Sequence, residues 1–411
     1  MGGMKILAFN CGSSTVKFQL FETGAELVAR NQDRALGRGL VERIGEAEAS
    51  LRFEVLGGAR RELRLPLRNH TDAIEAALAC LTETDGGLVR DLGEIAGAGH
   101  RVVHAGEYYA ESVVIDDEVV RRVEECASLA PLHNPHNLSG YLAVHARLPH
   151  CPHVAVFDTA FHQTIPRQAY LYGLPYEFYT RHKIRRYGFH GTSHRYVCLR
   201  FAELQAALPE DFKVITCHLG SGCSVTAIDR GRSVDCSLGF TPLEGLLMGT
   251  RPGDLDPGVL LHLMTALGMA PQEAGVLLNH RSGLLGLSGL TNDMRTLLAE
   301  SARGNPRATL AIEVFCYRVR KYLGAFHAVL NGSDAVIFTG GIGENAPAVR
   351  AAICQSLEAL GIALDPDRNQ RAAGRECEIS PPGARTQVWV IPTNEELLIA
   401  RETVRCISGA V

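Results

Sequence analysis

Two segments far apart in the chain read alike, and that echo constrains the fold more than any other feature. Phe9-Asn10-Cys11-Gly12-Ser13-Ser14-Thr15-Val16 and Cys217-His218-Leu219-Gly220-Ser221-Gly222-Cys223-Ser224-Val225 each run from a strand-like stretch through a Gly/Ser turn into another strand-like stretch. A tight turn of this kind exposes backbone N–H groups and hydroxyls on a concave edge, where they can hold phosphate oxygens without a nearby helix. Either turn alone is also an ordinary hairpin, because Gly and Ser are common turn residues. Their similarity, with Lys17 just beyond the first, favours two hairpins gripping one polyphosphate.

Around the hairpins, short β-branched runs at 5–9, 154–157, 214–217, 335–339 and 388–391 alternate with helix-period stretches at 72–81, 119–129, 308–330 and 348–360. That alternation predicts an α/β architecture. A chain of 411 residues, 46% of them hydrophobic, can bury at least one full core, and at roughly 100–200 residues per domain it divides into two or three. Two domains and a cleft are expected, with no low-complexity linker between them. A third glycine turn, Thr339-Gly340-Gly341-Ile342-Gly343-Glu344-Asn345, follows a buried-looking strand and precedes a helix carrying Pro347 in its first turn. Nucleotides commonly meet α/β sheets at such places. Neither Gly-x-x-x-x-Gly-Lys-Ser/Thr nor Gly-x-Gly-x-x-Gly occurs, so P-loop, dinucleotide-binding Rossmann and protein-kinase readings lose their sequence support.

Lys+Arg 41 against Asp+Glu 45 leaves a formal charge of -4, too balanced for a nucleic-acid groove or a surface that binds acidic membranes. Any anion site must be built locally. No signal-peptide apolar region opens the sequence, and no apolar stretch reaches the ~18 residues of a membrane span, so a soluble, cytoplasmic protein is expected. Twelve cysteines are scattered from Cys11 to Cys406 without a Cys-x-x-Cys pair and read as reduced core residues.

The middle of the chain carries its polar clusters. Phe157-Asp158-Thr159-Ala160-Phe161-His162 leaves a strand, and Arg186-Tyr187-Gly188-Phe189-His190-Gly191-Thr192-Ser193-His194 follows a basic stretch. Gly99-His100-Arg101-Val102-Val103-His104 and Met248-Gly249-Thr250-Arg251-Pro252-Gly253-Asp254 each set an arginine in a short segment that apolar packing or glycine turns can hold rigid. The planar guanidinium fork suits an anion because it binds two oxygens at once. A structural salt bridge is the alternative for any one of these arginines.

On these residues the chain resembles the acetate kinase family from Asn10 to Glu396. Asn10-Cys11-Gly12-Ser13-Ser14-Thr15-Val16-Lys17 resembles that family's first signature, and Tyr187-Gly188-Phe189-His190-Gly191-Thr192-Ser193-His194 its second. The resemblance implies the duplicated α/β fold shared by acetate and sugar kinases, actin and heat-shock chaperone ATPase domains, with an interdomain nucleotide cleft. It implies a first domain of residues 1–160 that takes back 397–411, a second of 161–396, and a homodimer. The implied reaction is reversible transfer of the ATP γ-phosphoryl group to acetate, giving acetyl phosphate and ADP, with propionate or another short carboxylate as the alternative.

Residue by residue, the resemblance puts Lys17, His218, Leu219, Gly220, Ser221, Gly222, Asp293, Met294, Arg295, Gly341, Ile342, Gly343, Glu344 and Asn345 on ATP. It puts Asn10 and Glu395 on magnesium, with manganese as a substitute, although Glu395 is also placed to be a first-turn helix carboxylate. Arg101 would bind the substrate carboxylate, walled by Val103, Leu132, Phe189 and Pro242; Asp158, His190 and Arg251 would be catalytic. A carboxylate needs no general base, so alignment and charge compensation would carry the reaction, with Asp158 orienting an arginine. Ser221, Pro252 and Ala105 depart from the usual Asn, Ser and Gly. Ser221 bears on a phosphate contact, Pro252 on the backbone beside Arg251, and Ala105 on substrate size. Two other classes compete. A zinc hydrolase would use His133/His136 and His190/His194, the latter on one helical face, but it lacks the Glu after the first His and leaves the hairpins unexplained. A nucleotide-dependent switch resembling actin would need no acceptor site of Arg101, Asp158, His190 and Arg251.

Overall fold

The structure, a computed structural model, describes residues 3–82, 88–131 and 133–409. The chain divides into two compact units: one comprises the described residues up to Phe161 together with those from Asn394 onward, the other His162–Thr393.

The first unit is built on an eight-stranded sheet of β1 (Met4–Cys11), β2 (Thr15–Thr23), β3 (Arg34–Glu42), β4 (Ala49–Val55), β5 (Arg60–Leu65), β6 (Ile95–Val102), β7 (Val113–Val114) and β8 (His153–Phe157), in the order β5-β4-β3-β2-β1-β6-β8-β7. The second contains β9 (Lys213–Leu219), β10 (Cys223–Asp229), β11 (Arg232–Cys236), β12 (Ala335–Thr339), β13 (Cys377–Glu378) and β14 (Gln387–Val390), in the order β11-β10-β9-β12-β14-β13. The first sheet has an antiparallel meander of five strands and the second one of three; in each, two strands parallel to the first strand of the meander follow, then an antiparallel edge strand. The architecture is therefore duplicated, and the repeated Gly/Ser segments are the β1–β2 and β9–β10 hairpins. Gly12 N–H donates to the Thr15 carbonyl at 2.8 Å, and Gly220 N–H to the Gly222 carbonyl at 3.1 Å.

Strand β1 shows why the core forms where it does. Successive side chains alternate between the faces of a sheet, so Leu7, Phe9 and Cys11 enter one apolar cluster while Ile6 and Ala8 enter another. The second cluster includes Ile399, Ala400 and Val404 of the helix Glu395–Ser408. Each large aliphatic fully buried there is worth about 1.5–3 kcal/mol. Gly99 on β6 permits the close approach of that helix, since a Cβ would sit 2.5 Å from Ile399 Cγ2 and 2.3 Å from Thr403 Oγ1.

Strands expected at 5–9, 154–157, 214–217, 335–339 and 388–391 all form, within a residue or two at their ends. The helix expected at 119–129 is Asp117–Glu125 followed by a 3₁₀ turn, Cys126–Ser128. The one expected at 348–360 stops at Cys354 before a separate turn at Glu358–Leu360. The third glycine turn is itself helical over Gly340–Asn345, because Gly340 takes a φ of 76° and lets the chain coil directly off β12. All twelve cysteines are free, ten of them buried. Among the described residues no helix is long and apolar enough to cross a membrane.

One side chain ties three elements of the first unit together. Asn137, on the helix Asn134–Arg147, accepts from the Val103 N–H at 3.0 Å and donates to the Cys11 carbonyl at 2.7 Å, with only 4% of it exposed. Asn137→Ala strands both backbone groups, and an unmatched buried group costs about 1–3 kcal/mol. Urea unfolding is expected to show a loss of about 2–4 kcal/mol, against little change for the exposed Ser139→Ala on the same helix.

Candidate functional site

In the first unit the parallel strands end side by side and bring distant residues together. Asn10 lies near the end of β1, Arg101 near the end of β6, and Asp158 immediately after β8, its N–H held by the Val102 carbonyl at 3.0 Å. The Arg101 Nε lies 3.0 and 3.2 Å from the two Asp158 oxygens, Nη2 donates to Asp158 Oδ2, and Nη1 donates to Asn10 Oδ1 at 3.1 Å. Glu395, in the first turn of its helix, stands 3.8 Å from the same guanidinium. Burial opposes the charge of Arg101, but Asp158 and then Glu395 outweigh it and raise its pKa above the ordinary arginine value. Burial, followed by the charge of Glu395, lifts Glu396 above the usual carboxylate range. Val103, fixed by Asn137, follows directly, and Lys17 pairs with Asn10 across the hairpin. Leu132, expected as a pocket wall, lies outside the described residues.

Asn10 and Glu395 offer an amide oxygen and a carboxylate near one guanidinium. These hard donors fit magnesium, which binds few protein oxygens and retains waters and phosphate oxygens. Among the described residues no group of three or more His, Cys, Asp or Glu is arranged to hold a metal ion, so substrate oxygens would have to complete the shell.

In the second unit, His190, Arg251 and the β9–β10 hairpin converge. A Cβ on Gly222 would lie 2.9 Å from Arg251 Nη2 and 3.3 Å from His190 Nε2. The His190 and His218 rings lie 4.4 Å apart. His190 has a φ of 57° and precedes the helix Gly191–Leu204, a left-handed conformation costly for a residue with a Cβ and common at functional sites. His190 and His194 therefore do not share one helical face, as the zinc reading expected; both rings contact the Ser224 hydroxyl, at 2.8 and 2.7 Å. Arg251 Nη1 donates to the Pro242 carbonyl at 2.8 Å, and no carboxylate among the described residues pairs with it. Burial lowers its pKa. Phe189 is buried, and its carbonyl is 3.0 Å from His162 Nε2.

Beside the hairpin turn lies a cavity of about 650 Å³ lined by Gly220, Ser221, Asp293, Met294, Arg295, Gly341, Ile342 and Asn345, with Asn292, Leu298 and Ala346. The volume is within the range of small-molecule sites. Gly341 has nothing within 4 Å of where a Cβ would be. Other residues expected on the nucleotide point elsewhere. Leu219 and Gly343 are buried, Gly222 faces Arg251 and His190, and His218 Nδ1 meets Ser193 Oγ at 2.8 Å. The Glu344 carboxylate accepts from the Gly340 and Thr393 N–H groups at 2.9 and 3.1 Å.

Comparison with known proteins finds likeness along nearly the whole chain. The acetokinase family profile matches residues 5–401. The chain belongs to the acetokinase family. The acetate kinase of Solibacter usitatus is 53% identical over 410 residues, covering 99% of both chains. The crystal structure of Porphyromonas gingivalis acetate kinase superposes with a TM-score of 0.91 at 43% identity, covering 98% of this chain and 100% of that one. A propionate kinase from Francisella tularensis superposes at 0.89 with 40% identity, covering 97% and 99%. The duplicated α/β fold expected from the sequence is the acetokinase fold.

Sequence reasoning passed over the residues that position these groups. Asn134 and Asn137 clamp the backbone after β6, Ser193 and Ser224 hold histidines, and Arg350 braces the glycine segment. Arg350 is fully buried, with its guanidinium on the Gly343 and Glu344 carbonyls at 2.7 and 3.0 Å and on Asn369 Oδ1 and O, both at 2.8 Å. Burial lowers its pKa to about 10, which leaves it charged at neutral pH. Its signal, an arginine one turn into a helix after a glycine run, is indistinguishable from a surface residue in one sequence. Arg350→Met should cost at least about 2–4 kcal/mol in thermal or urea unfolding, from stranded carbonyls. Calorimetry should also show ADP binding weakened about tenfold, corresponding to 1.4 kcal/mol of lost alignment.

Proposed function

We propose that the chain catalyses reversible transfer of the ATP γ-phosphoryl group to acetate, giving acetyl phosphate and ADP. The observation that carries this reading is Arg251: a guanidinium without a carboxylate partner among the described residues, beside His190 at the turn of a Gly/Ser hairpin that borders a nucleotide-sized cavity. A cation held this way is prepared for an incoming anion.

ATP takes the cavity bounded by Gly220, Ser221, Asp293–Arg295, Gly341, Ile342 and Asn345, and the family resemblance assigns Lys17 of the first unit to the nucleotide as well. Arg101 binds the acceptor carboxylate, held in orientation by Asp158. Val103 in the first unit, and Phe189 and Pro242 in the second, are the apolar residues that the family resemblance assigns to the acceptor. A carboxylate oxygen attacks the γ-phosphorus in line, the bond from that phosphorus to the β,γ-bridging oxygen breaks, and ADP leaves without any proton being moved. Arg251 and His190 donate to the equatorial oxygens, whose charge spreads in the transition state. Asn10 and Glu395 would hold magnesium, which when bound supplies positive charge to the phosphates. Homodimer assembly, carried from the family resemblance, and a cytoplasmic location, expected from the sequence reading, complete the proposal.

Propionate is the second reading, favoured by the structural likeness to a propionate kinase. Purified protein with Mg-ATP and acetate, propionate or butyrate, the acyl phosphate trapped as its hydroxamate, should yield product and rank the acceptors by kcat/KM. Arg251→Ala should lower kcat by about 10³–10⁵. No hydroxamate from any carboxylate, with ATP still bound, would leave the nucleotide-switch reading in its place.

Asp158 separates orientation from proton abstraction. Asp158→Asn keeps the shape but removes a charge-assisted pair worth roughly 1.5–3 kcal/mol, so the KM for the carboxylate should rise about tenfold or more. The pH profile of kcat should keep its form. Loss of one limb of that profile would instead make Asp158 a general base.

A further inference from the structure

The second unit contains a buried chain of polar groups behind His190 that the transfer reaction does not itself require. Thr216 Oγ1 is 2.6 Å from His194 Nδ1, His194 Nε2 is 2.7 Å from Ser224 Oγ, and Ser224 Oγ is 2.8 Å from His190 Nδ1. Thr216, Ser224 and His194 are each completely buried. Thr216 lies on β9, Ser224 on β10 and His194 in the first turn of the helix Gly191–Leu204. Cross-strand pairing puts Thr216 and Ser224 on neighbouring antiparallel strands, two residues apart in register.

The direction of the hydrogen bonds along this chain follows from counting protons. His194 is neutral, because burial and then the neighbouring His162 and His218 hold its pKa well below the ordinary value, so one ring nitrogen donates and the other accepts. His194 Nδ1 is the polar side-chain partner found for the Thr216 hydroxyl. If Nδ1 carried the proton, the Thr216 O–H would be left buried without an acceptor, at a cost of about 1–3 kcal/mol. Thr216 therefore donates to Nδ1, and His194 Nε2–H donates to Ser224. The Ser224 O–H is then turned towards His190 Nδ1, which must accept. In neutral His190 the ring proton is consequently on Nε2, the atom that stands beside Arg251 Nη2 at the Gly222 turn.

We infer that Ser224 is a positioning residue which, oriented by Thr216 and His194, fixes His190 in the Nε2–H form and aims a neutral N–H donor at the transferring phosphoryl group. This rests on the kinase reading for the identity of the acceptor, but the direction of the relay is a property of the unliganded protein. The arrangement gives His190 a fixed role: it donates one hydrogen bond to developing charge, as a preorganised dipole, and leaves the positive charge to Arg251 and the metal. A histidine free to exchange tautomers would present a lone pair to the phosphoryl oxygens part of the time and repel them.

Nitrogen-15 NMR of histidine-labelled wild-type protein tests this directly, with His190→Gln used to assign the His190 signals. The expected result at neutral pH is a protonated, pyrrole-type Nε2 and an unprotonated Nδ1 shifted by an accepted hydrogen bond. A proton on Nδ1, or on both nitrogens, overturns the inference even if the protein makes acyl phosphate. In kinetics, Ser224→Ala should lower kcat about 10-fold to 1,000-fold, the upper end being the loss of an entire transition-state donor, with KM for ATP and for the carboxylate changed less than about threefold. Ser224→Thr, which retains the hydroxyl, should recover most of kcat, and Thr216→Val should reproduce part of the Ser224→Ala loss together with the altered His190 nitrogen shifts. Unchanged kcat in a folded Ser224→Ala protein overturns the inference. Absence of activity in the wild type, with the expected tautomer present, would overturn the kinase reading and leave the relay standing.

Discussion

A guanidinium taken out of water needs oxygen around it, and this chain meets that requirement in three different ways. Arg101 has the full carboxylate of Asp158, so its charge is neutralised and its fork is fixed in one orientation. Arg350 has no carboxylate but four carbonyl contacts, which spend its charge on holding the glycine segment and the Asn369 backbone. Arg251 has one carbonyl, that of Pro242. The desolvation of a cation is costly in each case. Of these three, Arg251 is the one whose charge is left largely uncompensated by the described residues, and the proposed role for it, facing an anionic substrate, rests on that difference.

The same logic explains why one motif, duplicated, produces two different sites. Both hairpins close with a short backbone hydrogen bond beside a parallel strand. Around the first, the carbonyls of Cys11 and Gly12 are taken by Asn137 and His70, at 2.7 Å each, which leaves Asn10 and Lys17 to act as side chains. The second is packed against the loop carrying Arg251, where Gly249 N–H meets the Ser221 carbonyl at 3.0 Å. Its Gly222 has no side chain, and a Cβ there would crowd both Arg251 and His190. The topology supplies an edge, and the elements packed on that edge decide its chemistry.

Much of the architecture was legible because its signals are local. The run 335–339 is a continuous apolar β-branched strand in the sequence and a completely buried one in the fold. By contrast, β3, β4 and β5 were not read as strands, since charges and glycines interrupt the apolar pattern of Arg34–Glu42, and Arg60–Leu65 is charged and exposed along most of its length. Cross-strand pairing holds that ribbon together, with Val41, Leu51 and Phe53 anchoring one face in the core and ion pairs such as Arg38 to Glu54 across it. The segment 340–345 looked like a turn because glycine disfavours helix, yet Arg350 stabilises the coil from outside and the Glu344 carboxylate caps it from within. Propensity lost to tertiary contacts there.

The sequence by itself determined the α/β class, the duplicated hairpins, the acetokinase resemblance and the set of arginines and histidines available to an anion. Those are matters of periodicity, turn chemistry and residue type, each expressed within a few neighbouring positions. Only the tertiary structure decided which arginine is paired and which is not, that Glu344 serves the backbone instead of the cavity, and that Thr216, His194 and Ser224 stand in line behind His190. Such facts depend on hydrogen bonds between residues 22 to 57 positions apart, and strand register and burial, not sequence adjacency, set which donor reaches which acceptor.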